Sequence, residues 1–156
     1  MTQPAAPGAE AEVTIEAEPD KVYALITDLP TLASLGDEIV AMQWRKGTSA
    51  RPGAVFTGNN RSGGRRWSTT CTVTDADPGR VFAFDVRHIV LPISHWRYDI
   101  VPLDGGGCRV IERTWDQRPE WFKKPARIAT GVKDRAAANS AHIKVTLQRL
   151  KEKAES

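Results

Sequence analysis

Cysteine is scarce in this chain: Cys71 and Cys108 are the only two among 156 residues, and they lack the CxxC spacing of zinc or redox sites. A disulfide framework and a structural metal are therefore excluded as the source of stability, and a chain of this length buries enough core to do without either. Long apolar runs are missing too. Nothing approaches the roughly 20 residues of a membrane span, and the opening MTQPAAPGAE has neither the basic start nor the apolar centre of a secretory signal. A cytoplasmic protein without integral membrane association is the expectation. Charge of one sign is not in excess, since 22 Lys and Arg against 19 Asp and Glu leave a net charge of +3, with a local cluster only at Arg61, Arg65 and Arg66. Without a nucleic-acid motif or a basic helix face, nucleic acid is not expected as a partner. The three histidines, His88, His95 and His142, show no HxH or HExxH spacing, so neither a metal site nor a cofactor is expected.

Apolar residues at 40% and charged residues at 26% are the proportions of an ordinary globular chain. Residues 1–10 read as a tail, Pro, Ala and Gly being dense from Met1 to Gly8, and residues 11–156 as one domain. Val13 and Ile15 alternate with Glu12, Thr14 and Glu16, the period of a half-exposed strand. Pro19 and Asp20 then open a short helix that ends near Asp28, and Pro30 opens a second that Gly36 closes after Leu35.

Six further strands are expected at Ile39 to Lys46, Ala54 to Asn59, Trp67 to Ala76, Val81 to His88, Ile93 to Pro102 and Cys108 to Trp115. Asp77-Pro78-Gly79 and Asp104 to Gly107 are tight hairpin turns, while Arg61 to Arg66 reads as a longer glycine-containing loop. Strands joined this closely are antiparallel neighbours. Beyond Trp115 the period becomes helical: Ile128, Val132, Ala136, Asn139, Ile143, Leu147 and Leu150 fall on one face, giving a long helix from about Ala126 to Lys153. Pro119 to Pro125, with Trp121 and Phe122, precedes it as an irregular turn. The fold class is α+β. A seven-stranded antiparallel sheet, with two short helices after its first strand, curves around one long C-terminal helix. One helix is too narrow to fill such a sheet, and a cavity is expected between them.

The segments EVTIEAEPDKVYALITDL, GAVFTGNNRSGGRRWSTTCTV, PGRVFAFDV, WRYDIVPLDGGGCRVIER and the terminal VTLQRLK span nearly the whole chain after the tail. In these segments and their order the chain resembles the START-like superfamily, the polyketide cyclase/dehydrase and lipid-transport family, and within it the small bacterial stand-alone members. The resemblance implies the helix-grip fold shared with birch-pollen-allergen-like plant proteins. Carriers, cyclases, hydrolase-like enzymes and regulators all use that fold, so the resemblance carries over no catalytic residue.

Phe82, Phe84 and Val86 share one strand face, and Trp96, Tyr98 and Ile100 share one face of the next. Each alone suits plain core packing. Together with Asn139 and Ile143 of the helix, Phe82, Phe84, Trp96 and Tyr98 are what lines a small-molecule pocket. Cys108, Val110, Glu112 and Thr114 lie on one face of the last strand and Arg109, Ile111, Arg113 and Trp115 on the other, and either set can be the inward one. An inward Glu112 is a candidate acid or base, an outward one the partner of a surface arginine. His142 borders the helix stripe three residues after Asn139 and suits proton transfer as well as a boundary hydrogen bond. Asn139, an amide in an apolar stripe, needs a polar partner. His88 and His95 flank a turn, and the three arginines mark a hairpin tip or an anion clamp at a pocket rim.

The function expected first is binding of a hydrophobic small molecule, lipid-like or polyketide-like, between sheet and helix. The second is a cyclase or dehydratase in which Glu112, Tyr98 or His142 moves protons on a bound carbonyl compound. The third is a protein-interaction or regulatory module, marked by an exposed apolar patch.

Overall fold

The alternation at the start of the chain forms strand β1 (Ala9–Ile15), which buries Ala9 and Ile15 and turns its glutamates outward. The structure, a computed structural model, describes residues 6–36, 39–121 and 135–156. Ala9 and Glu10 were expected in the tail, but the ladder claims them: Ala9 pairs with Thr114 and Glu10 with Arg113, and the Gly8 N–H donates to the Thr114 carbonyl at 2.8 Å. Residues 1–5 of that expected tail lie outside the described residues.

Helices α1 (Pro19–Thr27) and α2 (Leu29–Leu35) follow, separated by Asp28 alone. Pro30 lacks the N–H that a continuous helix would need there, so the chain breaks and restarts. Asp28 supplies the new N-cap, its carboxylate accepting from the Thr31 N–H at 3.2 Å and the Thr31 hydroxyl at 2.6 Å. Val22 and Ile26 of α1, and Leu29, Leu32 and Leu35 of α2, are buried.

The meander comprises β2 (Ile39–Lys46), β3 (Val55–Ser62), β4 (Arg65–Asp77), β5 (Val81–His88), β6 (Leu91–Pro102) and β7 (Cys108–Asp116). With β1 they make one antiparallel sheet in the order β1-β7-β6-β5-β4-β3-β2. Two connections are tighter than expected. Ser62 pairs with Arg65, so the loop expected from Arg61 to Arg66 is only the turn Gly63-Gly64, with Gly63 at φ +61°. His88 pairs with Leu91, leaving Ile89-Val90 as the β5–β6 turn. At the other end of the sheet Gly79, at φ +77°, brings the β4–β5 turn against α1; a Cβ there would lie 2.5 Å from Asp20 Oδ1.

Helix α3 (Arg135–Glu155) closes the inner face, burying Ile143, Thr146, Leu147, Leu150 and Ala154. The first part of the expected helix, with Ile128 and Val132, lies outside the described residues, as do Phe122 and most of the Pro119 to Pro125 turn. The end of α3 is tied to β1: Lys151 Nζ donates to the Thr14 carbonyl at 2.7 Å, and Glu155 Oε2 accepts from the Glu16 N–H at 2.8 Å. Arg149 Nη1 also donates to the Leu35 carbonyl of α2 at 3.2 Å. The outer face carries ion pairs across β1, β7 and β6, where Arg113 meets both Glu10 and Asp99, Arg97 meets Asp99, and Arg109 meets Glu12.

Leu147→Ala should cost about 2 to 5 kcal/mol in denaturant melts, because the side chain is buried beneath the sheet. Lys144→Ala, on the exposed side of the helix, should be nearly silent, and equal effects would contradict the packing of α3. Cys71 and Cys108 are both buried and free. Strands β5 and β6 lie between theirs, about 14 Å across at about 4.8 Å per strand, and the register sets Cys71 level with Asp116, further along β7 from Cys108, so the thiols are well beyond the reach of a disulfide. Burial pushes the Cys71 thiol up to about 12 and raises that of Cys108. Neither should react with a thiol reagent in the native protein, and both should react after denaturation without reductant.

Candidate functional site

The antiparallel register lays the inward side chains of β5, β6 and β7 in rows. Phe82 stands opposite Tyr98, and Tyr98 opposite Glu112; one step along, Phe84 stands opposite Trp96, and Trp96 opposite Thr114. The face of β7 that sequence alone left open is thereby decided: Cys108, Val110, Glu112 and Thr114 are buried, and the arginines point out. Phe82 and Phe84 continue into an aromatic wall, with ring centroids 5.4 Å apart between them, 5.2 Å from Phe84 to Phe56, and 5.5 Å from Phe56 to Trp44. The indole N–H of Trp96 donates to Ser94 Oγ at 2.9 Å and the Thr114 hydroxyl to the His95 carbonyl at 3.0 Å, so these polar tips are satisfied.

Glu112 is not. It is only 2% exposed; Tyr98 hydrogen-bonds its carboxylate, but Oε1 has no hydrogen-bond partner among the described residues. Desolvation pushes its pKa up to about 8, against the smaller opposing effect of the Tyr98 hydrogen bond. Burial, and then the neighbouring carboxylate, raise the Tyr98 hydroxyl well above its ordinary range. Near neutral pH the pair is thus a protonated carboxyl hydrogen-bonded to a neutral phenol, which leaves one hydrogen-bond donor for a further partner in an apolar wall.

From α3, Ile143 is fully buried, Asn139 is half-buried one turn earlier on the same face, and His142 is half-buried at its edge. The pocket set read from the sequence, Phe82, Phe84, Trp96, Tyr98, Asn139 and Ile143, thus falls on the sheet face and the helix that covers it, and Glu112, whose direction the sequence left open, joins the inner face. Thr146, also buried on α3, was missed because a threonine does not register in an apolar stripe. The other two histidines part company. His95 turns outward, its Nδ1 2.7 Å from Asp85 Oδ1 and its ring 5.5 Å from Trp115, whereas His88 Nδ1 lies 2.9 Å from the Ser68 carbonyl. Arg61, Arg65 and Arg66 are exposed on the β3–β4 hairpin. No group of three or more metal-ligating side chains occurs among the described residues. Nor is any helix among them long and apolar enough to cross a membrane.

Inner-face burial is uneven. Phe82, Ile100, Cys108 and Val110, toward the closed end at Gly79, are sealed, while Val86, Trp96, Trp44 and Met42 are half-buried. A cleft of about 420 Å³ opens between α2 and β2, lined by Pro30, Ala33, Gly36, Ile39, Val40 and Met42 among others. Sequence reasoning did not find it, because it depends on the angle at which α2 meets an edge strand.

Residues 7–155 match the sequence profile of the polyketide cyclase / dehydrase and lipid transport family. The chain belongs to that family. Among solved structures it is similar to the Polyketide_cyc-like protein Cgl2372 from Corynebacterium glutamicum, at 26% identity over 91% of this chain and 87% of that one, with a TM-score of 0.60. The fold is also that of the di-domain ARO/CYC StfQ from the steffimycin biosynthetic pathway, at 14% identity, 94% of this chain, 50% of that one and a TM-score of 0.72. Ara h 8.0201 shares it at 12% identity over 93% and 95% of the two chains, with a TM-score of 0.66. No curated protein matches the chain. Family and neighbours together are consistent with ligand binding.

The raised carboxyl has a consequence for stability in this family member. The folded protein keeps a proton on Glu112 up to about pH 8 that the unfolded chain gives up near the ordinary value of 4.5, so stability should fall as pH rises through that window. Glu112→Gln should flatten the dependence and raise the denaturation midpoint at its alkaline end. Identical pH profiles for the two proteins would show that Glu112 titrates at its ordinary value in the folded protein.

Proposed function

We propose that this protein binds a largely apolar small molecule bearing a carbonyl or hydroxyl group, between the inner sheet face and α3. One observation carries the reading: Glu112 is buried beside Tyr98 in an aromatic wall with one carboxyl oxygen unpartnered among the described residues. A buried polar atom without a partner costs about 1 to 3 kcal/mol, and a ligand oxygen placed there recovers it. Phe82, Phe84, Trp96 and Ile143 supply the apolar contact, while Glu112, Tyr98 and Asn139 orient the polar group. The family's description, which includes lipid transport, and the ARO/CYC neighbours support a ligand of lipid-like or polyketide-like character.

The same pair favours a second reading, cyclase or dehydratase chemistry. A carboxyl that titrates at about 8 keeps an ionised fraction near neutral pH, and that carboxylate can take a proton from carbon beside a carbonyl and return the same proton to oxygen, while Tyr98 hydrogen-bonds the developing oxyanion. His142, at the edge of the same helix face, is the other proton carrier within this reading.

A fluorescent fatty-acid probe should bind saturably and quench tryptophan emission, since Trp96 would lie against it. Phe84→Ala should weaken binding by about 1 to 3 kcal/mol through lost contact area. Arg109→Ala, on the outer face, should leave affinity unchanged. Absence of saturable binding, or equal affinity in the two variants, would sink the binding reading. On a β-keto substrate, Glu112→Gln should retain binding and lose turnover if the enzyme reading holds.

A further inference from the structure

The β5–β6 hairpin ends in an apolar tip that serves no packing inside the protein. Ile89, Val90, Leu91, Pro92 and Ile93 follow one another, and none is buried. Ile89 and Val90, the two turn residues, are 76% and 83% exposed. Ile89 also has φ +59°, and no other non-glycine residue among those described has a positive φ. A two-residue hairpin with positive φ at its first turn position favours glycine there, and a β-branched side chain is an outlier. Exposure and backbone cost thus coincide at Ile89, with the exposed Val90 beside it, a combination that folding alone does not reward.

The surroundings are cationic. His88 bonds to the Ser68 carbonyl of β4, and Arg87 pairs with Thr70, so the β3–β4 hairpin stands beside the tip. That hairpin exposes Arg61, Arg65 and Arg66, and β5 exposes Arg87. From Arg61 to Thr74, and from Val86 to Ser94, the sequence has no acidic residue. This end of the sheet is an aliphatic point flanked on its β3–β5 side by four exposed arginines, with Asp85 and Asp116 set back along β5 and at the end of β7.

We propose that this end docks on an anionic phospholipid surface, with Ile89 and Val90 entering the interface and Arg61, Arg66 and Arg87 meeting the headgroup phosphates. Apolar insertion and basic charge together are the two contributions that peripheral membrane binding combines. A second copy presenting the same end would be repelled by its own arginines. A point of two side chains is also far smaller than the roughly 800 Å² per partner of a stable protein interface. The proposal requires no cavity and stands apart from the binding reading above.

Vesicle flotation of the full chain tests it, with phosphatidylcholine vesicles alone and with phosphatidylserine added, at low and at physiological salt. The wild type should float with the anionic vesicles only, and less at higher salt. I89G/V90N, which supplies the turn residues this backbone prefers, should melt no lower than wild type and bind at least about tenfold more weakly. R61A/R66A should reduce binding and flatten its salt dependence. No flotation with anionic vesicles, equal flotation with neutral ones, or undiminished binding by I89G/V90N overturns the proposal. Tip-dependent self-association in gel filtration, without flotation, overturns it in favour of a second copy.

Discussion

A seven-stranded sheet with one apolar face must have that face covered, and the described chain has one long helix with which to do it. The docking of α3 across β1 and β7 is therefore the contact on which the rest depends. It brings Ile143, Leu147, Leu150 and Ala154 out of water, and Lys151 and Glu155 hold the end of the helix to the backbone of β1. Strand β1 completes the arrangement by pairing with β7, its partner from the far end of the meander. That non-local pairing fixes which side of β7 is inside.

Placing Glu112 inside has an energetic cost that apolar packing would avoid. A leucine there would fill similar space without desolvating a carboxyl. The cost creates chemistry in return: a carboxyl protonated near neutral pH, a phenol that stays neutral, and around them Phe82, Phe84 and Trp96 to exclude water. Donors held in an apolar enclosure act on a ligand oxygen more strongly than they would in water.

The two ends of the sheet differ in kind. At one, the β4–β5 turn packs on α1 through Gly79, a Cβ on Gly107 would come within 2.9 Å of the Ile15 carbonyl, and the inner residues are sealed. At the other, the turns Gly63-Gly64 and Ile89-Val90 are exposed, and the inner side chains Val86 and Trp96 are only half-buried. Between the ends Phe56, Cys71 and Thr114 stay buried, so accessibility is concentrated in the hairpin tips, where loops meet partners.

Period and punctuation in the sequence alone determined the element order. Alternation marked the strands and the 3.6 period marked α3, while Pro19, Pro30 and Gly36 bounded the short helices and Asp77-Pro78-Gly79 a hairpin turn, because these signals are local and backbone sterics act locally. The aromatic rows were legible for the same reason, as i, i+2 neighbours on a strand. The orientation of β7 was not, since glutamate and threonine alternate there with two arginines and both faces read as mixed; only pairing with β1 and β6 decided it. Hairpin tightness also escaped the sequence: Arg61 to Arg66 looked like a loop, yet cross-strand hydrogen bonds drew all but Gly63 and Gly64 into strands. Likewise the exposure of Ile89 and Val90, and the cleft beside α2, arise from how elements meet in space, which a residue's sequence neighbours do not encode.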